Sequence, residues 1–278
     1  MPRLTFSSFA SALEYLFEKA CHESTVVVLD DYPNLRKHIE NCDDVLQELI
    51  DRYRGTSQLK LVLCGSAIEE MRSLRDGGNP IGQRIDLTLH LKAMDYEQAS
   101  AFYPNFSNED KMRLYSVFGG VPFFLRLIDS RLTVRENILK LISSSNSFCA
   151  IALQLFLTSE FAKLESVNLI LNALSKRPLK FSELLDETGI KSGAKMNYTL
   201  NKLCEMELIK TVSAESYSDN NRCTRYTIAD NLVHYYFSFV DVNLNRIAIY
   251  GAEHTFDRFV ADGFEMQFVP EVAKTIVV

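Results

Sequence analysis

The sequence of 278 residues predicts an α/β plus α fold: a short parallel sheet first, then helices, then a small unit of helices and a hairpin. Three observations predict it. Two apolar runs, Val26-Val27-Val28-Leu29 and Leu59-Lys60-Leu61-Val62-Leu63-Cys64, flank a segment with helical spacing, as parallel strands joined by a crossover helix do. From Tyr96 onward the apolar spacing turns helical. Near the end, three short helical segments precede two β-rich segments separated by a polar tip.

Composition sets broad bounds. Hydrophobic residues make up 47% and charged residues 24%, ordinary for a chain with a substantial core and about two domains. A net charge of −6 argues against non-specific nucleic-acid binding by the whole chain, while leaving room for a local basic patch. Six cysteines, at 21, 42, 64, 149, 204 and 223, form no C-x-x-C pair and read as buried or incidental thiols. Neither a basic leader with an apolar stretch nor a run of about 18 apolar residues is present, so a cytoplasmic protein without a membrane partner is expected.

In chain order, Phe6 to Glu23 has helical spacing, with Phe9, Leu13, Leu16 and Phe17 on one stripe and Ser7 or Ser8 as its cap. Val26 to Leu29 follows as a strand buried on both faces, running into Asp30-Asp31. Cys42 to Arg54 is a helix with Val45, Leu46, Leu49 and Ile50 inward, and Gly55 closes it. The second strand, Leu59 to Cys64, ends in Gly65-Ser66. A crossover between parallel strands brings Asp30 and Ser66 to one edge of the sheet. Ile68 to Leu74 reads as a helix, Arg75 to Pro80 as a turn, and Ile85 to Leu91 alternates as a third strand. Helices are expected at Tyr96–Phe102, Asn108–Phe118, Pro122–Ile128, Val134–Lys140 and Phe148–Leu164, with Gly119-Gly120 as a break. Val167–Leu174, Lys180–Thr188 and Lys195–Glu205, followed by Leu208–Val212, a tip at Ser216–Arg222 and Arg225–Ile228, make the pattern of a winged helix.

These motifs resemble the prokaryotic and archaeal ATPases of the AAA+/STAND type, P-loop NTPases that carry a winged helix behind the ATPase module. The resemblance rests on Leu29-Asp30-Asp31-Tyr32-Pro33-Asn34-Leu35, Leu63-Cys64-Gly65-Ser66, Pro80-Ile81-Gly82-Gln83-Arg84, Gly119-Gly120-Val121-Pro122 and Tyr226-Thr227-Ile228-Ala229-Asp230, the last leading into Tyr235-Tyr236-Phe237. It implies an incomplete P-loop NTPase-type parallel sheet at 1–95, a helical lid at 96–164, a winged-helix domain at 165–250, and the start of a nuclease-like region at 251–278. Phe256-Asp257-Arg258-Phe259-Val260 and Phe264-Glu265 form the entry to that last region.

The resemblance implies roles for single residues. Asp30, as the Walker B acid, holds Mg²⁺, and Asp31 orients the water that attacks the γ-phosphate of ATP. The family usually has Glu at the second position, and the shorter Asp sets the carboxylate about an ångström back, a displacement that costs on the order of 10²-fold in rate. Ser66 is a polar sensor, and Arg84 an arginine finger toward a neighbouring subunit or within its own chain. Gly120 and Pro122 lie near the adenine. The residues alone leave simpler readings open: a strand end and turn for Asp30-Asp31 and for Gly65-Ser66, a solvated loop arginine for Arg84, and a plain helix-loop-helix turn at Gly120. Lys191, Lys195 and Lys202 on the third helix of the winged unit, with Arg222 and Arg225 near its wing, make a candidate footprint for duplex DNA.

One departure is large. No segment matches G-x-x-x-x-G-K-[ST], the loop whose backbone N–H groups cradle phosphates, and no glycine occurs among the 29 residues before Asp30. The expectation is therefore a member of this ATPase class truncated at its amino terminus, with weak or no ATP hydrolysis of its own. The alternative is a non-enzymatic winged-helix protein that binds DNA, a protein partner or further copies of itself. Apolar residues such as Val27 and Leu61 would lack part of their cover, so poor solubility or self-association is expected.

Overall fold

The computed structural model describes residues 5–66, 68–214 and 223–276. The chain divides into two compact units, Met1–His90 and Leu91–Val278. The described residues are helix-rich, with two small sheets.

In the first unit, α1 (Phe9–Lys19) starts at Ser8, whose hydroxyl accepts the Ser11 N–H, and leads into β1 (Thr25–Leu29). Two helices, α2 (Tyr32–His38) and α3 (Cys42–Arg52), connect β1 to β2 (Leu59–Leu63), and α4 (Ile68–Ser73) follows. The strands pair in parallel with Thr25 opposite Leu59 and Leu29 opposite Leu63. Leu13, Phe17, Tyr32, Cys42, Leu46, Leu49, Leu74 and Ile81 form the core, with Leu29, Leu59, Leu61 and Leu63 packed against it.

Two expectations for this unit need correction. β1 is not buried on both faces: alternate residues Val26, Val28 and Val62 are 63%, 56% and 42% exposed. The helices that build the core lie against the other side chains of the strands, so strand periodicity divides the apolar run into one packed face and one open face. Residues 85–91 form no strand; Leu87 and Leu89 are 71% and 73% exposed. Their alternation suits a strand, but a strand exists through its ladder, and the described sheet consists of β1 and β2. The structure adds α2, where the sequence suggested a turn; Pro33, in its first turn, has the fixed φ that favours a helix start.

The second unit is built on one large core. Its helices are α5 (Tyr96–Ser100), α6 (Asn108–Phe118), α7 (Pro122–Leu125), α8 (Val134–Leu141), α9 (Phe148–Glu160), α10 (Leu164–Leu174), α11 (Phe181–Thr188) and α12 (Gly193–Glu205). Reciprocal caps open α5 at Asp95/Gln98 and α8 at Thr133/Glu136, satisfying first-turn N–H groups. An antiparallel hairpin, β3 (Ile209–Ala214) with β4 (Cys223–Ile228), pairs Ile209 with Ile228. Leu179 adds a rung outside it: its N–H donates to the Tyr226 carbonyl at 3.0 Å, and the Tyr226 N–H returns at 2.8 Å. The chain then runs through α13 (Asn231–Tyr235) and α14 (Leu244–Tyr250) into the closing helices.

Residues 252–276 belong to this same core, with Phe256, Val260, Phe264, Phe268 and Val272 buried. Among the described residues of this unit, three turns are π-helical: Tyr236–Val240, Phe256–Val260 and Phe264–Phe268. Among the described residues no helix is long and apolar enough to cross a membrane.

Candidate functional site

The site foreseen from the sequence lies at the carboxyl edge of the two-stranded sheet. Parallel pairing carries Leu29 and Leu63 to the same level, so Asp30-Asp31 and Gly65-Ser66 leave the sheet on one side. Backbone bonds lock the two exits together: the Cys64 N–H donates to the Leu29 carbonyl at 3.0 Å, and the Tyr32 N–H to the Cys64 carbonyl at 2.7 Å. To make that turn Asp31 adopts the left-handed conformation, φ 51°, tolerated by Asp more readily than by branched residues. The approach is tight. A Cβ on Gly65 would lie 2.6 Å from Pro33 Cδ, so the position accepts little besides glycine.

Asp30, Asp31 and Ser66 are all exposed at this edge. One Asp30 carboxylate oxygen accepts the Asp31 N–H at 3.0 Å, leaving the other oxygen to solvent or a ligand. Mg²⁺ in phosphoryl-transfer sites is held by one or two carboxylates plus substrate phosphates and water, so Asp30 fits one part of such a set. Among the described residues no group of three or more His, Cys, Asp or Glu side chains is placed to hold a metal ion.

Beneath the edge sits a network that the sequence reading missed. The buried Tyr32 hydroxyl donates to Asp43 Oδ1 at 2.6 Å, and the Cys42 thiol lies 3.7 Å from that hydroxyl. Asp43 Oδ2 accepts Asn79 Nδ2 at 2.9 Å and pairs with Arg36 at 2.8 Å. Burial, aided by the bond to Asp43, drives the Tyr32 pKa far above the ordinary tyrosine range, so the hydroxyl stays a neutral donor. The residue that follows the acidic pair is thereby pinned to α3 and to the turn at Asn79. Asp43-Asp44 in the first turn of α3 were visible as helix-start acids; nothing in the spacing showed that Asp43 turns inward.

Arg84 is held within the first unit. Its Nε donates to Asp51 Oδ1 at 2.8 Å, a second N–H reaches the other Asp51 oxygen, and Nη1 donates to the Pro80 carbonyl at 2.7 Å. This forked pairing holds Asp51 below the usual carboxylate range. In the second unit, Pro122 opens α7. Gly120 meets backbone: its carbonyl accepts the Met94 N–H at 2.8 Å, and a Cβ there would lie 1.8 Å from the Met94 carbonyl oxygen. The side of this glycine on which a Cβ would sit is thus filled by the Met94 backbone.

The five basic residues fare unequally. Lys191 and Lys195 are exposed, just before and inside the first turn of α12. Lys202 Nζ donates to the Glu160 carbonyl, pairs with the Glu160 carboxylate at 3.4 Å, and lies 5.0 Å from the centre of the Phe161 ring. Arg225 Nη1 donates to the Pro178 carbonyl at 3.1 Å and lies 3.4 Å from Glu183 Oε2. Arg222, with the tip Ser216–Arg222, lies outside the described residues.

With this geometry set, comparison with solved structures finds the Walker-type ATPase PABY2304 of Pyrococcus abyssi at a TM-score of 0.58 and 14% identity, covering 85% of this chain and 72% of that one. The two chains share a fold. An uncharacterised protein of Methanocaldococcus jannaschii, MJECL04, is 24% identical over 252 residues, 87% of this chain. The matched part is 57% of that relative's length, so the chain spans little more than half of it. No family model matches the chain.

Proposed function

We propose that the chain is an ATP-binding switch module of the Walker-type ATPase class. Its first unit is the P-loop NTPase-type sheet, followed by a helical lid over 96–164, a winged helix over 165–250 and the residues from 251 onward. The observation that carries the reading is the common exit of Asp30-Asp31 and Ser66 from paired parallel strands, at the sheet edge where α/β proteins bind ligands. Asp30 is the carboxylate toward Mg²⁺, Asp31 the group that orients water, and Ser66 the hydroxyl toward the terminal phosphate. Gly120 and Pro122 shape the lid turn, and Arg84 acts after release from Asp51. The Leu179 rung beside the hairpin supports the winged-helix assignment, since it ties the segment between the first two helices to the wing.

No phosphate-cradling G-x-x-x-x-G-K-[ST] loop lies within these 278 residues, and most phosphate contacts are expected from that loop. The 278 residues should therefore bind Mg·ATP weakly and hydrolyse it slowly or not at all. Calorimetric titration with Mg·ATP tests this: weak binding that fades in Asp30→Ala supports the reading. Micromolar affinity unchanged by Asp30→Ala overturns the assignment of this edge.

A second reading follows from the exposure of Lys191 and Lys195 at the start of α12, a helix end that duplex-binding modules turn toward DNA. The internal pairing of Lys202 and Arg225 confines the candidate contacts to those two lysines and Arg222. Fluorescence anisotropy with duplex DNA should show salt-dependent binding that weakens in Lys191→Glu/Lys195→Glu. Binding indifferent to salt and to both charges removes this reading.

A further inference from the structure

We propose that a cavity between α6, α8 and the closing helices of the second unit binds a small organic cation, an ammonium or guanidinium group carried on an aromatic or apolar stem. The cavity measures about 470 Å³, within the range of small-molecule sites. Phe106, Ile138, Phe256 and Phe264 line it, together with the carboxylates of Asp110, Asp257 and Glu265. Aromatic faces and carboxylates in one concavity are what an organic cation requires, since the ring quadrupole and the full negative charge attract the same partner.

Two arginines also line the cavity, and their bonding favours a cation over an anion. Arg113 Nε lies 3.0 Å from both Glu265 oxygens, and its Nη1 donates to Asp110 at 3.0 Å. Arg135 donates to both Asp257 oxygens, at 2.8 and 2.7 Å, and to Glu253 at 2.9 Å. Glu109 lies a further 3.8 Å from Arg113. Three carboxylates and two guanidinium groups thus line the cavity, with Glu109 and Glu253 pairing the same arginines from outside its lining, so negative charge is in excess around it. An incoming anion would have to displace carboxylates from forked pairs, whereas a cation finds them already oriented.

The backbone supplies an independent observation. Phe256-Asp257 and Phe264-Glu265, each an aromatic followed by an acid, open two successive π-helical turns. Such turns are rare, and they concentrate at functional sites. Here the repeated turn presents the same pair of chemistries to one cavity twice. The rim carboxylates are partly exposed, Asp110 at 38%, Glu265 at 46% and Asp257 at 53%, so a ligand can reach them.

The test holds the ring constant and changes its charge. The full chain is titrated by calorimetry with benzamidine, benzyl alcohol and benzoate. Benzamidine should bind one saturable site at least about tenfold more tightly than benzoate, with benzyl alcohol between them. Ala261→Phe, which fills the wall of the cavity and keeps every rim charge, should abolish benzamidine binding at unchanged near-ultraviolet circular dichroism. If that variant loses its tertiary signal, Val134→Met fills the cavity from α8 instead. Benzoate binding as tightly as benzamidine, no saturation by benzamidine at millimolar concentration, or benzamidine binding that survives the folded filling variant would overturn the proposal.

Discussion

Replacing Asp43 by Ala should loosen the whole edge that carries the acidic pair. Asp43 accepts from the Tyr32 hydroxyl and Asn79 and pairs with Arg36, at 2.6, 2.9 and 2.8 Å, with its side chain 11% exposed. A hydrogen bond to a charged group contributes about 1.5–3 kcal/mol, and a buried donor left unpaired costs about 1–3 kcal/mol. Tyr32 is wholly buried, so solvent does not replace its lost acceptor. The two effects overlap, and we expect a loss of about 3 kcal/mol in the first unit, roughly a hundredfold in its opening equilibrium. With no tryptophan to report on this unit, peptide-resolved hydrogen exchange is the assay; residues 25–29 and 59–63 should lose protection by that factor. Tyr32→Phe removes the hydroxyl with its acceptor still served by Asn79 and Arg36, and should cost about 1 kcal/mol. The double variant should then be no worse than Asp43→Ala alone, within about 0.5 kcal/mol. Additive losses, or an Asp43→Ala loss below about 1 kcal/mol, would refute the view that this network holds the turn.

Gly120→Ala places a Cβ 1.8 Å from the Met94 carbonyl oxygen, a clash with backbone, and should lower the melting temperature of the second unit far more than Gly193→Ala, whose Cβ meets open space; differential scanning calorimetry compares them. The hydrogen bonds from Arg135 hold the Asp257 carboxyl below its usual range, so this pair stabilises the fold above about pH 4 and is lost as pH falls through the lowered value. Acid unfolding followed by circular dichroism should be less steep in Arg135→Gln. Val28→Lys on the open sheet face should reduce self-association in sedimentation velocity and leave hydrogen exchange in β1 unchanged, because Val28 is 56% exposed and contributes little to the core.

The elements legible in the sequence were those set by local periodicity. α3, β1, β2 and α6 follow from the spacing of Leu46 and Leu49, of the valines, and of Leu114, Val117 and Phe118. The exit of Asp30 and Ser66 at one edge of the sheet was legible too, because a parallel connection leaves little choice. Partnership was not. The alternation of residues 85–91 says nothing about a missing ladder, and the Gly119-Gly120 pair does not reveal that Met94 packs against Gly120. Basic residues on one helix look alike in sequence, yet Lys195 is exposed while Lys202 is tied to Glu160. Asp43 and Arg135 act through residues 36 and 122 positions away respectively, separations that carry no pattern.

The bonds of Arg113 to Glu265 and of Arg135 to Asp257 span 152 and 122 residues. They make α6 and α8 depend on residues synthesised more than a hundred positions later. Until residues 252–276 emerge, the apolar faces of α6 and α8 lack Phe256 and Phe264, and their arginines lack their acids. Synthesis proceeds at about 5–20 residues per second, so those helices wait several seconds for closure. The second unit therefore completes its core only once residues 252–276 are available to dock onto α6 and α8.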